Sequence, residues 1–406
     1  MFLSMWFISF IFHEMAFGLF SIFLPLYVTT YLGGGLIDFG VMMVLARLMT
    51  MPSSFFWGYL CDKTGKYRAF ILLSLSALTL FFFLFTLTKT IAFLTLLYVL
   101  IGVFHVAHEP PKNVLIAESR PRSEWERGFA LYWALTELGW LSGLLLGFTL
   151  SSYGFSNTSM LLLCSFLHMI GFITSIVFIE DPVLIFERRL ARIERTIGFI
   201  YQGYLLASKV LDGIAIKGLT KNISRGDNLS VFCLGVVLFS LATSSLFTPL
   251  PIFFSQNLSL PSNIIFAIFF FNSLGGFFGY LIAGNLLEHM EDKLFIKGTT
   301  LARGFLCPVF SFMILLPLTY RLLFSPVVLI IMGIAYGLFR VSTISLSMEL
   351  IPEGRAGIYN TLIDFGAAFG CFIGPFLAAH FGFPYLFITS SLLFILSFAA
   401  FKRFAI

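Results

Sequence analysis

Long apolar runs, broken by short groups of Gly, Pro, Asn and charged residues, recur along the whole chain. In order they fall at 4–31, 36–60, 69–88, 91–117, 128–150, 158–179, 229–254, 262–287, 296–318, 325–350, 357–379 and 384–402. Each is close to or above the ~20 residues that an α-helix needs to cross a hydrocarbon core about 30 Å thick. None alternates apolar and polar positions over about ten residues, as a barrel strand must. The pattern therefore predicts twelve membrane-spanning helices and excludes a β-barrel.

The longest polar connection, 181–228, separates six spans (1–180) from six more (229–406). Within it Phe186, Leu190, Ile193, Ile197 and Ile200 recur at three- and four-residue steps, with Arg188, Arg189, Arg192 and Arg195 between them. That spacing predicts an amphipathic helix lying on the membrane surface, its basic face toward anionic headgroups; a solvated linker with a short helix is the alternative.

Composition agrees with the pattern. Hydrophobic residues make up 59% and charged ones 11%, against roughly a quarter charged in soluble domains. The net charge of +5 is an orientation signal, because no basic stretch sits on a soluble domain where nucleic acid would bind. Loop Lys and Arg concentrate between spans 2–3, 4–5, 6–7, 8–9 and 10–11 and at Lys402 and Arg403, while the other side offers only Lys89 and Arg321. The positive-inside rule places both termini and the central connection in the cytoplasm, with a plasma (inner) membrane as the expected location. The first run lacks a basic leader and a small-residue cleavage site and reads as a retained span. Cys61, Cys164, Cys233, Cys307 and Cys371 are scattered singly, and His168, His289 and His380 read as incidental, so neither a metal site nor a cofactor is expected.

The halves repeat. Adding 227 carries Tyr132, Glu137, Gly139, Gly143 and Gly147 onto Tyr359, Asp364, Gly366, Gly370 and Gly374. An offset of 231 carries Glu118 and Pro121 onto Glu349 and Pro352. The two glycine ladders suit close helix packing. Between spans 2 and 3 the stretch GYLCDKTGKYRAF (58–70) gathers Asp62, Lys63, Lys66 and Arg68 between and around Gly58 and Gly65.

That stretch resembles the G-x-L-x-D-x-x-G-x-[RK]-[RK] signature of the major facilitator superfamily, through Gly58, Leu60, Asp62, Gly65 and Lys66; Tyr67 stands where a base is usual, with Arg68 next. The resemblance implies two pseudo-symmetric six-helix bundles, and a conformational latch formed by Gly58, Asp62, Gly65, Lys66 and Arg68. The latch would hold the outward-facing state closed at the cytoplasmic side, with Asp62 facing the N-terminus of span 11. The counterpart 279–293 keeps Gly279 but lacks the acid. A Gly-Pro pair common in span 5 of drug exporters of this superfamily is absent at Gly143-Leu144 and present only at Gly374-Pro375.

Ionisable residues inside spans are costly and mark functional sites. Span 4 presents His105, Glu109 and Lys112 on one helical face with His108 beside them, next to a Pro110-Pro111 break. His108 and Glu109 are candidate proton carriers; an internal Glu109–Lys112 pair is the structural alternative. Arg340 in span 10 is the repeat mate of Glu109, so the two are expected to face one central cavity, as a cross-domain pair or as two ends of a substrate site. His13 and Glu14 in span 1 and Arg47 in span 2 allow a Glu14–Arg47 pair or a coupling role. Glu137 and Asp364 are proton sites or pair with neighbours, and Arg303 reads as an interface or structural charge.

No Walker-type phosphate loop and no catalytic motif appears, so ATP drive and enzymatic activity are not expected. The expected function is secondary active transport of a small organic solute by alternating access, proton-coupled and monomeric. Two alternatives stand: proton-driven efflux of amphipathic compounds, and a non-transporting receptor or assembly partner with this fold.

Overall fold

The computed structural model describes residues 5–118, 125–181, 229–286, 292–350 and 357–404. The surface helix expected within 181–228 lies outside them. The described residues are mostly helical, with no strand among them, and eleven segments are long and apolar enough to cross a membrane. The spans are Phe7–Leu26, Leu36–Thr64, Tyr67–Thr86, Ile91–Glu118 in three pieces, Trp125–Ser152, Asn157–Phe178, Leu229–Gln256 in two pieces, Ser262–Leu286, Asp292–Leu306, Leu318–Leu350, Gly357–Phe381 and Phe383–Phe404. They are numbered 1 to 12 below.

The ninth differs from its expected form. Asp292–Leu306 is followed by a separate short turn, Val309–Met313, because Pro308 has no N–H to continue the ladder and helices break there. Span 2 runs further than expected, to Thr64, and takes Asp62 and Lys63 into its last turn. Gly65 ends it in the left-handed region (φ 66°), its N–H donating to the Cys61 carbonyl at 2.9 Å. A residue with a Cβ is strained in that conformation, which is why glycine closes helices this way. Span 3 begins at Tyr67, so the stretch 58–70 is two helix ends joined through Gly65-Lys66.

Packing repeats between the halves. Span 1 lies against 5 and 6 as span 7 lies against 11 and 12; pairs 2 and 4, 3 and 4, and 3 and 6 correspond to 8 and 10, 9 and 10, and 9 and 12. The halves meet chiefly through spans 2 and 11 and through spans 5 and 8, again a symmetric pair.

The glycine ladders make the intra-half contacts. A Cβ on Gly139 would come to 2.5 Å from the Ile11 carbonyl oxygen, and one on Gly143 would overlap that of Met15. Gly366 and Gly370 press in the same way on Val237 and Leu241 of span 7, and Gly374 on Ser245. Gly147 differs from its mate: it faces the Phe266 ring of span 8, across the seam. At the other seam Gly40 of span 2 abuts the Pro375 ring of span 11, with 3.0 Å from an added Cβ to Pro375 Cβ. Both seam contacts lie about one turn from the end of the bundle opposite the 58–70 stretch. Ser152 and Asn263 join the halves at that same end through a 3.2 Å hydrogen bond.

Candidate functional site

The densest chemistry lies in the N-terminal half, where span 4 breaks. Pro110 and Pro111 cannot donate to Val106 and Ala107, and the chain tightens into a 3₁₀ turn at Val106–His108 between helices Ile91–His105 and Glu109–Glu118. In 3₁₀ geometry side chains three apart eclipse. The His105 and His108 rings accordingly sit 5.1 Å apart. His13, from span 1, stacks on His105 at 5.1 Å and meets His108 edge-on at 4.7 Å.

Glu109 accepts from Lys112 Nζ at 2.5 Å through Oε2, and its Oε1 lies 3.3 Å from His108 Nε2. Lys112 is 1% exposed, with its ammonium over the Tyr132 and Trp133 rings at 4.9 and 5.1 Å. The internal ion pair read from the spacing is therefore present. Glu14 lies within electrostatic reach of Glu109, Lys112 and Glu137.

The seam carries a second cluster. The Glu14–Arg47 pair does not form: Arg47 Nη1 is 4.0 Å from Asp364 Oδ1 in span 11, joining the two halves. Both side chains are surrounded by protein. Yet they are 46% and 48% accessible, so they line a space between the halves rather than a packed core. Arg340 makes no ion pair among the described residues, and the direct Glu109–Arg340 pair is absent because Lys112 and His108 hold Glu109. Arg340 instead lies among Tyr280, Tyr336 and Tyr359, with Asp364 in electrostatic reach. Asp364 also senses Glu109, and Glu137 senses Tyr280 across the seam. Spans 1, 2, 4, 5, 10 and 11 thus present charge of both signs toward one interior, to which span 8 adds the Tyr280 hydroxyl. The Arg47–Asp364 pair is accessible, so it contributes about 0–1 kcal/mol to stability. If the transport expected from the sequence is the activity, Arg47→Asp and Asp364→Arg each abolish most of it, with thermal unfolding near that of the parent chain. The double exchange restores part of the flux; a double variant as inactive as the singles contradicts pairing across the seam.

The 58–70 stretch sits away from this interior. Asp62 is exposed at the end of span 2. The Arg68 backbone N–H donates to Asp181 at 2.6 Å and its guanidinium to the Ile176 carbonyl at 2.7 Å. Arg68 therefore ties spans 3 and 6 within one half. Gly58 faces Pro110, with 3.8 Å from an added Cβ, an ordinary contact that does not itself require glycine.

Two features escape sequence reasoning. His13 gave no metal or cluster signal because its partners are on a distant span. Arg303, read only as an interface or structural charge, is 1% exposed and donates to Thr243 at 3.2 Å, with Phe239, Phe247, Tyr336 and Phe394 rings 5.0–5.5 Å from its guanidinium. Cation–π contact in place of a carboxylate leaves no spacing to recognise.

Two symmetric six-helix halves, sealed together toward one end around a charged and accessible interior, define an integral membrane protein of transporter fold. The sequence model of the Major Facilitator Superfamily matches residues 6–375, and the chain belongs to that superfamily. No curated protein matches the sequence. Among solved structures, the nucleoside transporter NupG superposes with TM-score 0.71 at 13% identity, covering 99% of this chain and 98% of that one. A POT family transporter in complex with a thioalcohol-conjugated peptide gives TM-score 0.71 at 16% identity, covering 99% and 95%.

Proposed function

We propose that the chain is a secondary active transporter that moves a small zwitterionic or anionic organic solute by alternating access, coupled to protons. The observation that carries this reading is the Arg47–Asp364 pair, which bridges the halves while lining the space between them. Lys112, Arg47 and Arg340 set against Glu14, Glu109, Glu137 and Asp364 suit a solute with both charges, as a peptide has, better than a neutral nucleoside. Glu14, Glu109, Glu137, Asp364 and the neighbouring His105 and His108 are the groups that would carry the proton. The basic loops put both termini and residues 181–228 in the cytoplasm, so the present arrangement, sealed at the opposite end, is open toward the cytoplasm. The chain works as a monomer in the plasma (inner) membrane.

Flux in proteoliposomes under an imposed pH gradient tests this reading over zwitterionic, anionic, nucleoside and amphipathic cationic solutes. Accumulation of a zwitterion that collapses with a protonophore is expected. Gradient-driven flux of amphipathic cations alone would establish efflux instead, and no flux of any solute would favour a receptor. In the same assay Asp62→Asn is expected to slow transport at least about tenfold, equivalent to ~1.4 kcal/mol on the barrier, with reconstitution unchanged. Unaltered flux removes the latch role.

A further inference from the structure

We propose that His13, His105 and His108, together with the Glu109 carboxylate, bind one divalent transition-metal ion of the zinc class inside the N-terminal half. One ligand atom from each of the three imidazoles lies within 4.8 Å of the others, and the ~3.3 Å edge of a tetrahedral site with bonds of about 2.0–2.1 Å requires the stacked His13 and His105 rings to turn toward a common point. Glu109 Oε1 is already 3.3 Å from His108 Nε2, a contact outside hydrogen-bond geometry but of the length at which two ligands share such an ion.

The nitrogens are otherwise unexplained. His13 is fully buried, and neither Nδ1 nor Nε2 has a hydrogen-bond partner; His105 Nδ1 is also unpartnered, and His108 Nε2 meets only the Glu109 carboxylate. An orphaned buried polar atom costs about 1–3 kcal/mol, and here several converge on one point. Packing alone does not require this. His168 shows a buried histidine held as a ring: it stacks on Phe82 at 4.8 Å and its Nδ1 meets the Cys164 carbonyl at 2.8 Å. His13 is likewise packed as a ring, stacked on His105 and edge-on to Phe17, but neither of its nitrogens is hydrogen-bonded, whereas His168 leaves only Nε2 unpartnered.

The surroundings are those of a metal site. Ser74 Oγ lies 3.3 Å from His108 Nδ1, which leaves Nε2 free to ligate, and Lys112 holds the other Glu109 oxygen. Such outer contacts orient ligands. Three imidazoles favour zinc, cobalt, nickel or copper over magnesium and calcium, which prefer all-oxygen sites. The Glu109 carboxylate, shared with Lys112, supplies the negative charge at the site, and Glu14 lies within electrostatic reach. All four ligands belong to spans 1 and 4 of one half, and the ion therefore braces span 1 to the 3₁₀ break in span 4 instead of crossing with the solute; with the ion bound, the proton is left to Glu14, Glu137 and Asp364.

The test uses the full chain, purified in detergent and stripped with a chelator, titrated calorimetrically with Zn²⁺ and, separately, with Co²⁺ while its visible d–d absorption is recorded. One equivalent of zinc, the intense absorption of tetrahedral cobalt and no response to Mg²⁺ are expected. His13→Gln and His105→Gln should each weaken zinc binding at least tenfold, and His380→Gln, at an exposed site, should leave it unchanged. Absence of saturable zinc binding to the folded parent chain overturns the proposal whatever the variants do. So does binding that survives both His13→Gln and His105→Gln, or that is lost equally in His380→Gln. Because metal is scored without flux, these failures leave the transport reading standing, and a failed flux assay leaves the metal result standing.

Discussion

Glu109→Ala is expected to abolish transport and to destabilise the N-terminal half by about 3 kcal/mol, whereas Lys112→Met costs markedly less stability. The asymmetry comes from solvent access. Lys112 is 1% exposed, while the Glu109 side chain is 37% accessible. Removing the carboxylate strands an ammonium that water cannot reach, and breaking a buried pair from one side costs about 3–5 kcal/mol. The Tyr132 and Trp133 rings offset part of that, by about 0.5–2 kcal/mol. Removing the ammonium leaves a carboxylate still partly in contact with water, and methionine refills the lysine's volume at small cost. Thermal unfolding in detergent, followed by size-exclusion chromatography, distinguishes the two. Equal losses for both variants, or a larger loss for Lys112→Met, would mean that the pair is not organised by this difference in access.

Gly143→Leu is expected to prevent recovery of monodisperse protein. Span 5 lies so close to span 1 at this rung that even a Cβ would overlap the Met15 carbonyl oxygen, and carbonyls of a helix cannot step aside without breaking its ladder. Overpacking a well-filled interior costs about 1–3 kcal/mol or more, and here backbone must move against backbone. Gly298→Leu is the control, since an added Cβ there meets nothing within 4 Å. Recovery of Gly143→Leu at the level of Gly298→Leu would show that the two spans have room to separate.

How far the sequence spoke depended on whether a feature was local. Span positions were legible because apolar runs have a fixed minimum length, and the Glu109–Lys112 pair was legible because three residues on a helix make neighbours. Span ends were less so: Asp62 and Lys63 look like loop residues, yet the left-handed glycine at 65 lets the helix continue to Thr64. Non-local choices were not legible. From the sequence Arg47 is matched only with Glu14 in its own half, and the packing of span 2 on span 11 gives it Asp364 instead. The ladder glycines announced close approach without saying to what: Gly143 turned inward to span 1 and Gly147 outward to span 8. Arg303 gave no signal at all, since an aromatic cage in a chain with 53 phenylalanines has no spacing of its own.

The two seam contacts have a mechanical consequence. Gly147 under the Phe266 ring and Gly40 against the Pro375 ring are bearing points, each a smooth ring on a residue with no side chain to interlock. Two points fix a line, and in the proposed alternating access a rotation about it would swing the far end of each half widely while hardly displacing the bearings themselves. Under the proposed alternating access, the Arg47–Asp364 pair and the Ser152–Asn263 hydrogen bond are polar fastenings between the halves that such a rotation would have to stretch or break.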